Sequence, residues 1–257
     1  MNVYIVADME GISGIINPQQ VMRGELEFQE GRRFLAGDVN AAIAGAIEGG
    51  ATDVVVGDVH ASQRNFPIDL LDARAEYEVP TGPDLPTLDD SFESLVVVGM
   101  HAKSGTPRAF MEHTFEPSWH RYSIDGIEHG EFAHLAFVAG AVGVPTVFVS
   151  GDRAAIDEAR ALMPSVEGVI VKDGLGRNRG RTLAPSVAHE RIREGVMRGL
   201  QRRHDIRSPI LGFPVTVRIE FNRCFGADAF ENRAGIRRVD GFTVEWTAHN
   251  IRELVQF

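Results

Sequence analysis

The sequence holds one cysteine, Cys224, among 257 residues. It can close no intrachain disulfide and build no thiolate metal site, and nothing in it calls for an oxidising compartment. Cys224 itself reads as a small buried apolar residue. Positive charge is in deficit: 26 Lys and Arg face 36 Asp and Glu, a formal net charge of -10. Such an acidic chain, with no basic face in evidence, excludes nucleic acid as the expected partner. Long apolar runs are absent as well. Nothing approaches the ~20 consecutive apolar residues of a membrane span. The apolar opening Val3–Ala7 meets Asp8 and Glu10 at once, and no basic segment precedes it, unlike a secretory signal. These absences predict a soluble, cytoplasmic protein with no membrane partner. Internal repeats and low-complexity tracts are also missing, and a hydrophobic content of 44% is enough to build a core, so disorder is excluded.

Four apolar runs of strand length are present: Val3–Ala7, Asp53–Gly57, Leu95–Gly99 and Thr146–Ser150, with Val169–Val171 as a fifth. Continuous Val, Ile and Leu mark strands covered on both faces, as in a parallel sheet. Gly31–Gly49, Phe132–Val142, Arg153–Met163 and Pro185–Arg202 read as helices. In the first of these, Phe34, Leu35, Val39, Ala42, Ile43 and Ile47 keep the 3.6 period, and Gly49 with Gly50 ends it. Alternating strands and helices predict an α/β fold, a three-layer, mostly parallel sheet. From about Ser208 the texture changes. Pro214–Phe221 and Phe242–Thr247 alternate like half-exposed strands, and Asn250–Phe257 reads as a short terminal helix. The expected organisation is an α/β catalytic domain over 1–205 and a smaller C-terminal α+β appendage over 206–257.

Sites in α/β sheets form where strands end at their carboxyl edge. Three apolar strands here end in metal-type ligands: Asp8 and Glu10 after the first, Asp58 and His60 after the second, His101 after the third. In extended chain, side chains two apart point the same way, so Asp8 and Glu10 can converge on one cation. Carboxylates with imidazoles and no thiolate suit zinc or another divalent first-row metal. A shared carboxylate can bridge two metals about 3.5–4 Å apart, an arrangement that activates water for hydrolysis. Taken singly, each residue has a plainer reading: an Asp after a strand is usually a turn residue or cap.

The segment Ala7–Gly14, with Asp8, Glu10, Gly11, Ser13 and Gly14, resembles the opening signature of the zinc-dependent D-aminopeptidases of dipeptide-transport operons, which are self-compartmentalising peptidases. Gly57–His60, Gly99–Ala102, Gly105–Pro107, Glu112–Thr114, Gly130–Glu131 and Ser150–Asp152 follow in the family's order. The resemblance runs from residue 1 to about 190 and more weakly to the end. It implies a site of two zinc ions per chain, held by Asp8, Glu10, His60, His101 and Glu131, with Asp8 bridging. It implies His113 as the catalytic residue, short peptides with N-terminal D-residues as substrates, and a homo-oligomer of stacked rings, possibly a decamer. The family labels His113 a nucleophile. A two-metal site already holds a competent hydroxide, so a proton-transfer or oxyanion role for His113 is the chemically simpler expectation. The substrate's free amine is expected on a metal or on a nearby carboxylate such as Asp58. Competing readings are a metal-dependent hydrolase of another small amide and a non-catalytic metal-binding protein. The latter fits less well, because a structural zinc site is closed and needs no extra imidazole.

Other residues invite chemistry without meeting its pattern. Gly174, Gly176 and Gly180 lack the spacing and the downstream acid of a dinucleotide fingerprint. Arg177, Arg179 and Arg181 read as a solvated basic loop, with a grip on a substrate carboxylate as the alternative. His134 lies three residues after Glu131 on the same helix, but the family pattern does not call on it.

Overall fold

The sequence's apolar runs become the middle of one sheet. The computed structural model describes residues 1–82, 84–230 and 232–255. The chain runs β1 (Asn2–Ala7), α1 (Phe28–Glu48), β2 (Asp53–Asp58), β3 (Glu76–Glu78), β4 (Ser94–Met100), β5 (Trp119–Ile124), β6 (Ile127–Glu128), α2 (Glu131–Ala141), β7 (Thr146–Asp152), α3 (Arg153–Leu162), β8 (Glu167–Gly176), β9 (Arg179–Thr182), α4 (Pro185–Gln201), β10 (Val215–Phe221), α5 (Cys224–Asp228), β11 (Ile236–Arg238) and β12 (Thr243–Ala248). Seven strands pair in the order β3-β2-β1-β4-β7-β8-β9. All neighbours are parallel except β8 and β9. The central strands are buried on both faces: Val3 to Val6 and Leu95 to Val98 are each 0% exposed. Helices α1 and α4 pack as one pair and α2 and α3 as another, covering the sheet to give the three layers that continuous apolar strands require. Truncating one such core side chain, Leu95→Ala for example, is worth about 2–5 kcal/mol of stability.

A second, antiparallel sheet has the order β11-β12-β10-β5-β6. Its C-terminal strands β10, β11 and β12 are completed by β5 and β6 from the middle of the chain. Trp119, Tyr122, Val217, Ile219, Val244 and Trp246 pack on its inner face with Ala133 and Phe137 of α2. The opposite side of α2, including Leu135, Ala136 and Ala139, faces the main core. A helix apolar all round is one buried all round, and α2 is clamped between the two sheets. That clamp fixes its first residue, Glu131.

Several expectations need correction. The terminal helix over 250–257 is a single 3-10 turn, Ile251–Glu253, and Gln256 and Phe257 lie outside the described residues. The basic segment 177–181 is not a loop: Arg179–Thr182 is β9, which pairs back on β8. Cys224 is exposed at the first residue of α5 instead of buried, because the face of that short helix turned to the core is occupied by Ala227.

Candidate metal centre

Strand order brings the candidate ligands together. Strand β1 lies between β2 and β4, with Ala7 level with Asp58 on one side and Val98 on the other, so all three strands end at one edge. The chain after β1 then turns across the end of β4: Asp8 N–H donates to the Val98 carbonyl at 2.9 Å and Gly11 N–H to the Gly99 carbonyl at 2.8 Å. This crossing needs two glycines. A Cβ on Gly11 would stand 2.2 Å from the Met100 carbonyl oxygen, and Gly99, at φ +79°, would place one 2.2 Å from the Asp8 carbonyl oxygen. His101 follows β4 directly. The chain reverses beyond it, where Thr106 N–H and Oγ1 both donate to the Lys103 carbonyl, and His113 N–H returns to the Ala102 carbonyl at 3.3 Å. That reversal carries His113 back over the strand ends.

Two clusters result, Asp8 with Glu10 and His60, and His101 with His113 and Glu131. Within each cluster the ligand atoms lie within 4.8 Å of one another. His60 Nδ1 is 3.0 Å from both Asp8 Oδ1 and Glu10 Oε2. His101 Nε2 is 3.3 Å from Asp8 Oδ2 and 3.3 Å from Glu131 Oε1. The two oxygens of Asp8 therefore face different clusters. His113 Nε2 stands farther off, 3.9 Å from Glu131 Oε1, and its ring stacks on that of His101 with centroids 4.0 Å apart.

The tautomers follow from the outer nitrogens, because a backbone carbonyl can only accept. His60 Nε2–H donates to the Val21 carbonyl, His101 Nδ1–H to Ala102 and His113 Nδ1–H to Met111, at 2.9 to 3.0 Å. In the neutral ring the remaining nitrogen then presents a lone pair. For His60 and His101 that lone pair is aimed at carboxylate oxygens, which is unfavourable unless a proton or a cation lies between them. Asp8 Oδ2 and His101 Nε2 are buried and accept or donate no hydrogen bond. Without metal, protons fill the role. Burial lowers the basicity of His60, but the Glu10 and Asp8 carboxylates outweigh it and lift the imidazole well above its usual value. Burial likewise opposes the charged form of His101, and Glu131 and Asp8 overcome it. Burial pushes the carboxyls of Asp8 and Glu131 up. The neighbouring imidazoles reverse this and hold Asp8 well below the usual carboxylate range and Glu131 below it.

A cavity of about 600 Å3 opens over the cluster, and Asp8, Glu10, His60, His113 and Glu131 line it. Four further residues set the ligand geometry, Asn65 and Asp58 together at the His60 turn, then Lys172 and Val21. Asn65 donates from N and Nδ2 to Asp58 and from Nδ2 to the His60 carbonyl at 2.7 Å, while Asp58 Oδ1 accepts the His60 N–H. Asp58 is thus 0% exposed and committed to holding the His60 turn, so the expectation that it binds a substrate amine is wrong. Burial raises its carboxyl above the ordinary value despite those bonds. Lys172 Nζ, 2% exposed, donates to the Glu10 carbonyl at 2.6 Å and lies 4.5 Å from the centre of the Phe110 ring. Burial lowers this ammonium to about 7, against the pull of Asp152, Asp38 and Glu10. The last is Val21, whose carbonyl accepts from His60. His134 is buried in the cavity wall, with Nε2 3.6 Å from Asp84 Oδ1. Arg177 is engaged by Glu112, and Arg179 and Arg181 sit on β9 away from the cavity, so none of the three grips a substrate there.

A family profile described as D-aminopeptidase matches residues 1–257. The chain belongs to the D-aminopeptidase family. A D-aminopeptidase of Bacillus subtilis (strain 168) is 31% identical over 210 residues, covering 80% of this chain and 76% of that protein. Among solved structures, the Zn-dependent D-aminopeptidase DppA from Bacillus subtilis, described as a self-compartmentalizing protease, superposes with a TM-score of 0.94 at 29% identity, covering 99% of this chain and 94% of that one. Membership makes the chain an aminopeptidase.

Proposed function

We propose that this D-aminopeptidase hydrolyses short peptides bearing N-terminal D-residues. In this reading it uses two zinc ions per chain, held by Asp8, Glu10, His60, His101 and Glu131 with Asp8 shared, and His113 is its catalytic acid–base. The observation that carries this reading is the pair of buried atoms without a hydrogen bond, Asp8 Oδ2 and His101 Nε2, facing one another at 3.3 Å beside the Glu131 carboxylate. Donors of this kind fit a first-row cation. Zinc there would polarise the scissile carbonyl and make water acidic enough to attack at neutral pH.

The chain's own residues supply the rest. The backbone carbonyls of Val21 and Ala102 orient the His60 and His101 rings, as outer partners of metal-binding histidines do. His113, with Nδ1–H fixed on Met111, turns its Nε2 lone pair to the cavity. From there it can take a proton from the attacking water and return it to the leaving amine, or as imidazolium steady the developing oxyanion. Glu131, at the first residue of α2, is favoured as a carboxylate by the helix dipole as well as by its imidazoles. A second reading makes His113 a zinc ligand, favoured by its place in the second cluster. Its greater distance from Glu131 and its exposure to the cavity favour catalysis.

In line with the description of DppA as self-compartmentalizing, the chain would assemble as a homo-oligomer; stacked rings forming a decamer are the arrangement the family resemblance implies. Ile16, Met22 and Leu26, at 59%, 51% and 93% exposure, are apolar surface that assembly would cover. A solution mass of one chain, 28.2 kDa, would contradict this. Activity is tested by hydrolysis of matched dipeptides of both N-terminal configurations, with zinc added. Turnover of the D-series is expected, and turnover of the L-series alone would overturn the substrate assignment.

A further inference from the structure

The cavity walls are acidic. Asp8, Glu10, Glu116 and Glu131 line the cavity, and Arg23 is the one lysine or arginine among its lining residues. Arg23 is exposed, and among the described residues no carboxylate pairs with it. Its place is set by the metal site: Val21, two residues earlier, accepts the Nε2–H of His60. Two residues of chain span at most about 7 Å, which with the 3.0 Å hydrogen bond keeps the Arg23 backbone within about 10 Å of the His60 ring, a gap an arginine side chain can bridge to a bound dipeptide. Gly24, at φ +102°, then turns the chain away with open space around it.

We propose that Arg23 determines specificity by receiving the C-terminal carboxylate of the substrate, so that di- and tripeptides with a free C-terminus are preferred over blocked ones. The proposal rests on the aminopeptidase reading. In a dipeptide the terminal carboxylate lies one residue, about 3.5 Å of chain, beyond the bond to be cleaved, within reach of a long side chain anchored at the rim. A guanidinium offers that carboxylate two parallel N–H donors. Without it the carboxylate enters a cavity whose remaining charged walls are acidic. This also separates the site from the basic strand β9, whose arginines do not line the cavity.

The test compares D-alanyl-L-leucine with its C-terminal carboxamide, on the zinc-loaded wild type and on Arg23→Gln and Arg23→Lys. The wild type is expected to favour the free acid in kcat/KM. Arg23→Gln should shrink that acid-to-amide ratio about 10–100-fold, the worth of a charge-assisted hydrogen-bond pair, chiefly through KM of the acid. Arg23→Lys should restore part of it. Zinc content and melting temperature, read on the same preparations, should match the wild type. An equal fall on both peptides, or a wild type that does not discriminate, overturns the proposal. A wild type that cleaves neither overturns the aminopeptidase reading together with it, a result distinct from the other two.

Discussion

Replacing His113 by alanine separates the roles open to this side chain. The ring makes one hydrogen bond, to the Met111 carbonyl at 2.9 Å, and one stack, on His101. A neutral hydrogen bond contributes about 0.5–1.5 kcal/mol and a ring pair a similar amount, so the folded state should lose about 1–3 kcal/mol. For a chain of this length that lowers the melting temperature by only about 2–4 °C per kcal/mol, and the variant should stay folded at assay temperature. Loss of an acid–base group costs about 10²–10⁴ in turnover, or about 2.7–5.4 kcal/mol of barrier. The kinetic defect should therefore exceed what unfolding can explain. Dipeptide hydrolysis and zinc content, measured on one preparation, decide the matter: turnover falls and zinc stays. A parallel fall in zinc would make His113 a ligand, and wild-type turnover would refute its catalytic role altogether.

Asn65→Ala should release both Asp58 and the His60 turn, weakening zinc binding about 10–100-fold by competition with a chelating dye, as loss of outer-shell support does. An unchanged affinity would show that the turn holds itself. Zinc affinity should also rise with pH. His60 and His101 bind protons more tightly than usual in the metal-free chain. Their pairings therefore add stability to that form that is fully present below the unfolded histidine value of about 6.5 and is lost as pH rises through the raised folded values. The paired Asp8, held low, adds stability above the unfolded carboxylate value that is lost as pH falls. Zinc must displace the histidine protons, so the melting-temperature gain on adding zinc should grow from about pH 5.5 to 8, and activity should rise from about pH 5 into the mildly alkaline range. A gain that shrinks over that interval would argue against imidazole ligands.

The parts of the fold legible in the sequence are those buried on both faces. Strands β1, β2, β4 and β7 carry continuous apolar runs because helices cover them on each side, and the main helices keep their period because one face meets the sheet. Strand β5 was not legible. Trp119, Tyr122 and Ile124 do not alternate regularly, the ladder shifts register at Glu220 and Phe221, and the partner β10 lies about a hundred residues away. The short strands β3, β6, β9 and β11 lack enough residues to show a period. The candidate ligands were legible because strand ends converge wherever a parallel sheet is wound, and the family resemblance added Glu131 and His113. The use of Asp58 was not: Asp and His two apart suit a ligand pair as well as a turn, and the choice depends on Asn65, seven positions on. Lys172 and Arg23 gave no signal at all. One reads as an odd cation in a strand and the other as a loop residue, and only the tertiary fold sets them beside Glu10 and over the cavity.

The central claim is a shared metal centre with Asp8 facing both halves, and counting zinc tests it most directly. After loading and gentle dialysis, the wild type should hold about two zinc ions per chain, the number a carboxylate-bridged pair requires. Glu10→Ala should keep about one, because only the His60 cluster loses a ligand, and Asp8→Ala should keep close to none. One zinc in the wild type, or equal losses in the two variants, would contradict the account.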